Sequence, residues 1–134
     1  MSTPAPTPAP VTELDLADAT GVWAIRSESV TVYYIDADHD LLLRQPGSGS
    51  TRGAWDGCWV PMVHLTRDDG AVGVVGVGHR HHWRTDPEPA TSTNHRCWVQ
   101  RRCTAIEPVP ADAVPVGREP DPNESWKVYR RPGG

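Results

Sequence analysis

The chain has no phenylalanine, a single lysine (Lys127), three cysteines and no Cys-x-x-Cys spacing in its 134 residues. Without phenylalanine, its six tryptophans carry most of the large apolar volume, so a Trp→Ala change in the core is expected to cost roughly 3–5 kcal/mol. Three cysteines cannot all pair within one chain, and the missing Cys-x-x-Cys spacing removes the usual thiolate zinc and redox motifs. Buried thiols behaving as small hydrophobes are the simpler expectation. No apolar run approaches the roughly 20 residues of a membrane helix, and the first residues lack the basic and apolar segments of a secretory signal. A cytoplasmic protein without membrane contact is therefore expected. The net charge of −4 argues against nucleic acid as a partner, because phosphate binding is dominated by cationic side chains.

Catalytic signatures are also missing. No Gly-x-Ser-x-Gly elbow and no His-Glu-x-x-His pair occur, so neither a hydrolase nucleophile nor a zincin helix is indicated. The loop from Gly47 to Gly53 is rich in glycine and serine but lacks the Lys-Ser/Thr end and the following helix of a phosphate-binding loop.

What the chain does have is proline (14) and glycine (12), which makes much of its length turn or tail. The expected organisation is one β domain over residues 21–106, between a flexible N-terminal arm (1–20) and a Pro-rich C-terminal tail (107–134). Within the arm, residues 13–19 suit a marginal helix or a short strand around Leu14 and Leu16. The tail holds a possible last strand at residues 126–130.

The organising stretch is Gly21 to Gly47. Trp23 and Ile25, then Val32 and Tyr34, alternate with polar or smaller neighbours, the period-two signature of half-buried strands. A two-residue turn at Glu28–Ser29 pairs Ile25 with Val32 and Trp23 with Tyr34; moving it to Ser29–Val30 slides the register by two and keeps the same face. Trp23, Ile25, Val32 and Tyr34 form the expected core set. Leu41 to Leu43 resumes a third strand, stopped by Pro46–Gly47.

The spacing Trp23, Ile25, Ser27, Ser29, Tyr33, Asp36, Arg44, Pro46–Gly47 resembles the opening of small uncharacterised β-rich proteins encoded by actinobacteria and their phages. Val30 stands where that pattern places a turn glycine. The resemblance implies no activity, cofactor or partner.

Farther along, Asp56–Gly57 and Asp69–Gly70 are hairpin-turn signals of the type I′ kind. The second is expected to join Trp59–Thr66 with Ala71–Val77. Pro61 requires an edge position or a bulge, and Gly73, Gly76 and Gly78 indicate sharp curvature. Residues 96–104 read as one strand, with Cys97, Val99 and Cys103 on one face and Trp98, Gln100 and Arg102 on the other. The sum is an all-β fold, a small antiparallel barrel or sandwich of six to eight short strands with Pro-rich flexible termini.

The most unusual chemistry lies in residues 78–84, GHRHHWR. His79, His81 and Trp83 alternate and are the expected binding residues of a non-enzymatic protein-binding or structural module. The competing reading uses His79, His81, His95 and Cys97 as a tetrahedral zinc site, in a zinc-binding protein that could be a metal-dependent hydrolase. Trp83, Arg84, Arg96, Trp98, Arg101 and Arg102 combine rings and cations as a single-strand nucleic-acid platform would, or as the anchors of a protein interface do. The acidic total favours the interface. Asp36, Asp38 and Asp40 could attract a hard cation, but the glycine and distal glutamate of an EF-hand loop are missing.

Overall fold

In the computed structural model, which describes residues 9–49, 52–87 and 95–120, the Trp-led meander forms as three antiparallel strands. They are β2 (Val22–Ser27), β3 (Val32–Asp36) and β4 (Leu41–Gln45). Its register differs from expectation by one residue, pairing Ile25 with Tyr33 and Trp23 with Ile35. The cause is local. Ser27 Oγ accepts from the Ser29 amide at 3.1 Å and Ser29 Oγ from the Thr31 amide at 3.2 Å, so two serine turns widen the connection beyond a two-residue hairpin. A one-residue slip moves every side chain to the other face. Tyr33 and Ile35 are therefore buried with Ile25, while Val32 and Tyr34 are only half-buried.

Six more strands occur among the described residues: β1 (Glu13–Asp15), β5 (Val60–Arg67), β6 (Val74–Gly76), β7 (His81–Thr85), β8 (Arg96–Gln100) and β9 (Cys103–Val109). One sheet has the order β8-β7-β5-β4-β3-β2-β9, and β1 pairs with β6 in a second, two-stranded sheet. Strands β8 and β9 stand at opposite ends of that order although only Arg101 and Arg102 separate them. The sheet must therefore fold back on itself. It does so at β5, where the register shifts between Met62 and His64, just after Pro61, which is the bulge that a proline inside a strand calls for. The strand order stays open, so the architecture is an all-β sandwich and not a closed barrel.

The interior is where the two layers meet. Tyr33 stacks on Trp83 at 6.0 Å between ring centroids and meets Trp98 edge-on at 6.3 Å. Gln100 bridges the layers, donating to Ile25 O at 3.0 Å and accepting from Trp83 Nε1 at 3.1 Å. Trp98 and Gln100 thus form the buried face of β8, and Cys97 and Val99 the exposed one, the two faces that alternation separates. The expected single strand 96–104 is broken at Arg101–Arg102.

Both Asp-Gly signals mark turns, but of other kinds. Arg67 and Ala71 flank a three-residue loop closed by Gly70 N to Arg67 O at 2.8 Å, with Gly70 at φ +91°; this is a turn ending in a left-handed glycine rather than type I′. The hairpin it starts is short-lived. After the Thr66–Val72 bridge the chain leaves β5, which pairs with β7 instead, and β6 crosses to β1. Asp56–Gly57 sits inside the connection from β4 to β5, in a turn closed by Cys58 N to Trp55 O at 3.1 Å.

The expected arm and tail are both partly built into the fold. Leu14 is buried in the main core, Val11 bridges Ile106, and β9 runs past Ile106 to Val109. Farther on, Trp59 Nε1 donates to Pro115 O at 2.9 Å and Arg118 Nε to Asp56 O at 2.7 Å. Residues 1–8 of the arm and the possible strand at 126–130 lie outside the described residues.

Candidate functional site

Strand β7 begins at His81, so its inward face carries His81, Trp83 and Thr85, all buried, and its outward face His82 and Arg84. Of the expected binding residues, His81 (1% exposed) and Trp83 (0%) therefore point into the core, out of reach of a partner. His79 precedes the strand and is half-buried, its Nδ1 2.7 Å from Asp68 Oδ1.

The four proposed zinc ligands do not converge. Across the β7–β8 ladder Cys97 lies opposite Arg84 and His81 opposite Gln100; Cys97 is on the exposed face and His81 on the buried one. His95 is exposed and lies 4.0 Å from Asp86. His81 is held neutral. Its Nε2 accepts from the Gly76 amide at 3.0 Å, and burial pulls its pKa down to about 4.

A different group of ligand-type side chains does meet. Ligand atoms of Asp68, Asp69 and His79 lie within 4.8 Å of one another. Both carboxylates already have protein partners, however. Arg67 makes a two-point contact with Asp69 (2.8 and 2.7 Å) and a third bond to Glu13 at 3.0 Å. Asp68 Oδ2 accepts from the Arg80 amide at 3.0 Å while Oδ1 holds His79. The Arg80 amide and then His79 keep Asp68 below the usual carboxylate range, and Arg67 does the same to Asp69. Asp36 likewise spends its carboxylate locally, on the amides of Asp38 and His39 and on the His39 ring.

Two open depressions are built from other residues. On the outer face of β5, β7 and β8, the ladder places Thr66 beside His82 and His82 beside Val99. This row floors a groove of about 330 Å³ rimmed by Arg67, Asp68 and Arg80, and Val99 is 71% exposed there. The second is a polar cleft of about 190 Å³ between the layers, lined by Ser27, Ser29, Thr31, Tyr33, Arg44, Val99, Gln100 and Arg101. Arg44 forms its cationic wall. Nη1 pairs with the buried Asp56 at 2.7 Å, Nε donates to Tyr33 Oη at 3.2 Å, and the guanidinium lies about 6 Å from the Tyr33 and Trp98 rings.

Sequence reasoning missed this cleft, although Ser27, Ser29, Tyr33 and Arg44 all belong to the spacing it singled out. The one-residue register error had turned Tyr33 outward. The aromatic–cationic surface expected near β8 is absent among the described residues in a usable form, because the Trp83 and Trp98 rings are buried and only Arg84, Arg101 and Arg102 are exposed. No described helix is long and apolar enough to cross a membrane.

Searches against protein-family models, curated proteins and solved structures give no match to this chain.

Proposed function

We propose that the chain is a non-enzymatic protein-binding or structural module that meets its partner, or a second copy of itself, through the outer face of β5, β7 and β8. The observation that carries this is Val99, a 71% exposed valine on an edge strand in a groove with a charged rim. An exposed apolar side chain ringed by Arg67, Asp68 and Arg80 has the layout of an interface, apolar in the middle and polar at the rim. The contact segment is still His79 to Trp83, but Arg80 and His82 are the side chains it presents. None of the three cysteines is in a disulfide, which suits a reducing, cytoplasmic setting. The resemblance of residues 23–47 to small proteins of actinobacteria and their phages fits a module of that origin and adds no activity to it.

A photoreactive amino acid placed at Val99 tests the reading, with Val116, 94% exposed and distant in sequence, as the control position. Irradiation in extract of the source cell should give a discrete protein adduct at position 99, either with a second copy or with one other protein, that Val116 does not give. Equal adducts at both positions, or none, would remove the proposal. Metal analysis of untagged protein covers the zinc reading: stoichiometric zinc lost on His79→Ala would replace the module by a metalloprotein.

A further inference from the structure

The polar cleft between the layers has a chemistry that the outer groove lacks. Ser27 Oγ and Ser29 Oγ each accept a backbone N–H, which leaves each hydroxyl hydrogen free to donate. Tyr33 Oη accepts from Arg44 Nε and likewise keeps its own hydrogen. Burial raises the Tyr33 pKa, so the phenol stays a donor at all ordinary pH. Arg44 commits Nε and Nη1 to Tyr33 and Asp56, and its Nη2 has no partner among the described residues. The exposed Arg101 adds a second guanidinium at the mouth. No carboxylate among the described residues lines the cleft; Asp56 is fully buried behind Arg44 and fixes its orientation.

We infer that this cleft is an oxyanion-binding site, taking a carboxylate or phosphate group. Hydroxyl and guanidinium donors converge on a volume of about 190 Å³, and a donor-rich, acceptor-poor pocket is complementary to an anion and to little else. Arg44 contributes direction, since its guanidinium is held by two rings, a phenol and a buried carboxylate. Arg101 contributes the net charge, because Arg44 and Asp56 neutralise each other. The site goes beyond the outer groove, which it adjoins at Val99.

The test is amide chemical-shift titration of the full chain with inorganic phosphate, and with a short peptide ending in a free carboxylate beside its amidated form. Saturable shifts confined to residues 27–33, 44 and 99–101 are expected, weakened about tenfold in Arg101→Gln, which loses one charge-assisted bond. Tyr33→Phe should weaken binding as well while keeping the ring stack. Arg44→Gln is avoided as the main test because it strands Asp56, and a misfolded variant would decide nothing. A preference for phosphate identifies a free-phosphate site, and a preference for the carboxylate peptide over its amide identifies a peptide terminus; both uphold the inference. Shifts that do not saturate, that spread over the surface, or that are unchanged in both variants would overturn it.

Discussion

His81 sits in the interior with Nε2 accepting from the Gly76 amide and Nδ1 without a partner among the described residues. Protonation would turn that acceptor into a donor facing another donor, and burial already pulls the pKa from 6.5 to about 4. Between those values the unfolded chain binds the extra proton and the folded one does not, so stability rises with pH through this window. It is fully present above about pH 6.5 and lost as pH falls toward 4, by about 3 kcal/mol for the whole shift. His81→Gln keeps an acceptor for Gly76 but cannot titrate. Urea midpoints measured from pH 4 to 7 should climb steeply in the wild type and stay nearly level in the variant; parallel curves would mean that another group carries the dependence. Asp68 and Asp69 act in a separate, more acidic window, since their pKa values are depressed and their contribution fades only as pH falls below the ordinary carboxylate range. None of this was legible in the sequence, where His81 reads as a binding residue or a metal ligand beside His79. Only the inward turn of β7 makes it a core residue.

Among the elements, the β2–β3 meander shows what period-two reading can and cannot settle. Alternation located both strands and placed Trp23 and Ile25 on the same face, but the face of β3 depends on loop length, which the serine side chains control. Ser27 and Ser29 each capture an amide two residues on. The same loop explains Val30 in the place of a turn glycine. No tight turn is made there, so no positive φ is required of it. Instead the Val30 side chain packs directly over Gly47, so that a β-carbon at position 47 would collide with its Cβ and Cγ2. Gly47→Ala is therefore expected to destabilise by about 1–3 kcal/mol through overpacking. Val30→Ala, which removes Cγ2 from a 68% exposed residue, should cost little alone and should recover part of the loss when combined with Gly47→Ala. Urea unfolding of the four-member cycle measures that coupling. Additive effects would show that the two positions do not touch.

For the molecule as a whole, composition and turn chemistry were enough to give an all-β fold but left barrel and sandwich open and put the strands at six to eight where nine occur among the described residues; the bulge at Pro61 was legible because proline cannot sit undisturbed in an inner strand. The strand order was not. Local signals favour pairing of sequence neighbours, so Ala71–Val77 looked like the partner of β5, whereas β6 in fact pairs with a strand some sixty residues earlier. What draws β1 into the fold is one side chain. Leu14 is 7% exposed and packs in the same cluster as Val75, its cross-strand neighbour, which is fully buried. Arg67 then ties Glu13 of β1 to Asp69 of the hairpin loop. On this account the N-terminal segment is a stabilising element and not a detachable arm. Leu14→Ala should lower stability by about 2–4 kcal/mol, and a chain starting at Ala17 should lose more, since it also uncovers Val75 and removes the β1–β6 ladder. Both are read from urea midpoints followed by tryptophan fluorescence. If the shortened chain unfolded at the same urea concentration as the full chain, β1 would be a passenger on the sandwich and the proposed role of Leu14 would fall with it.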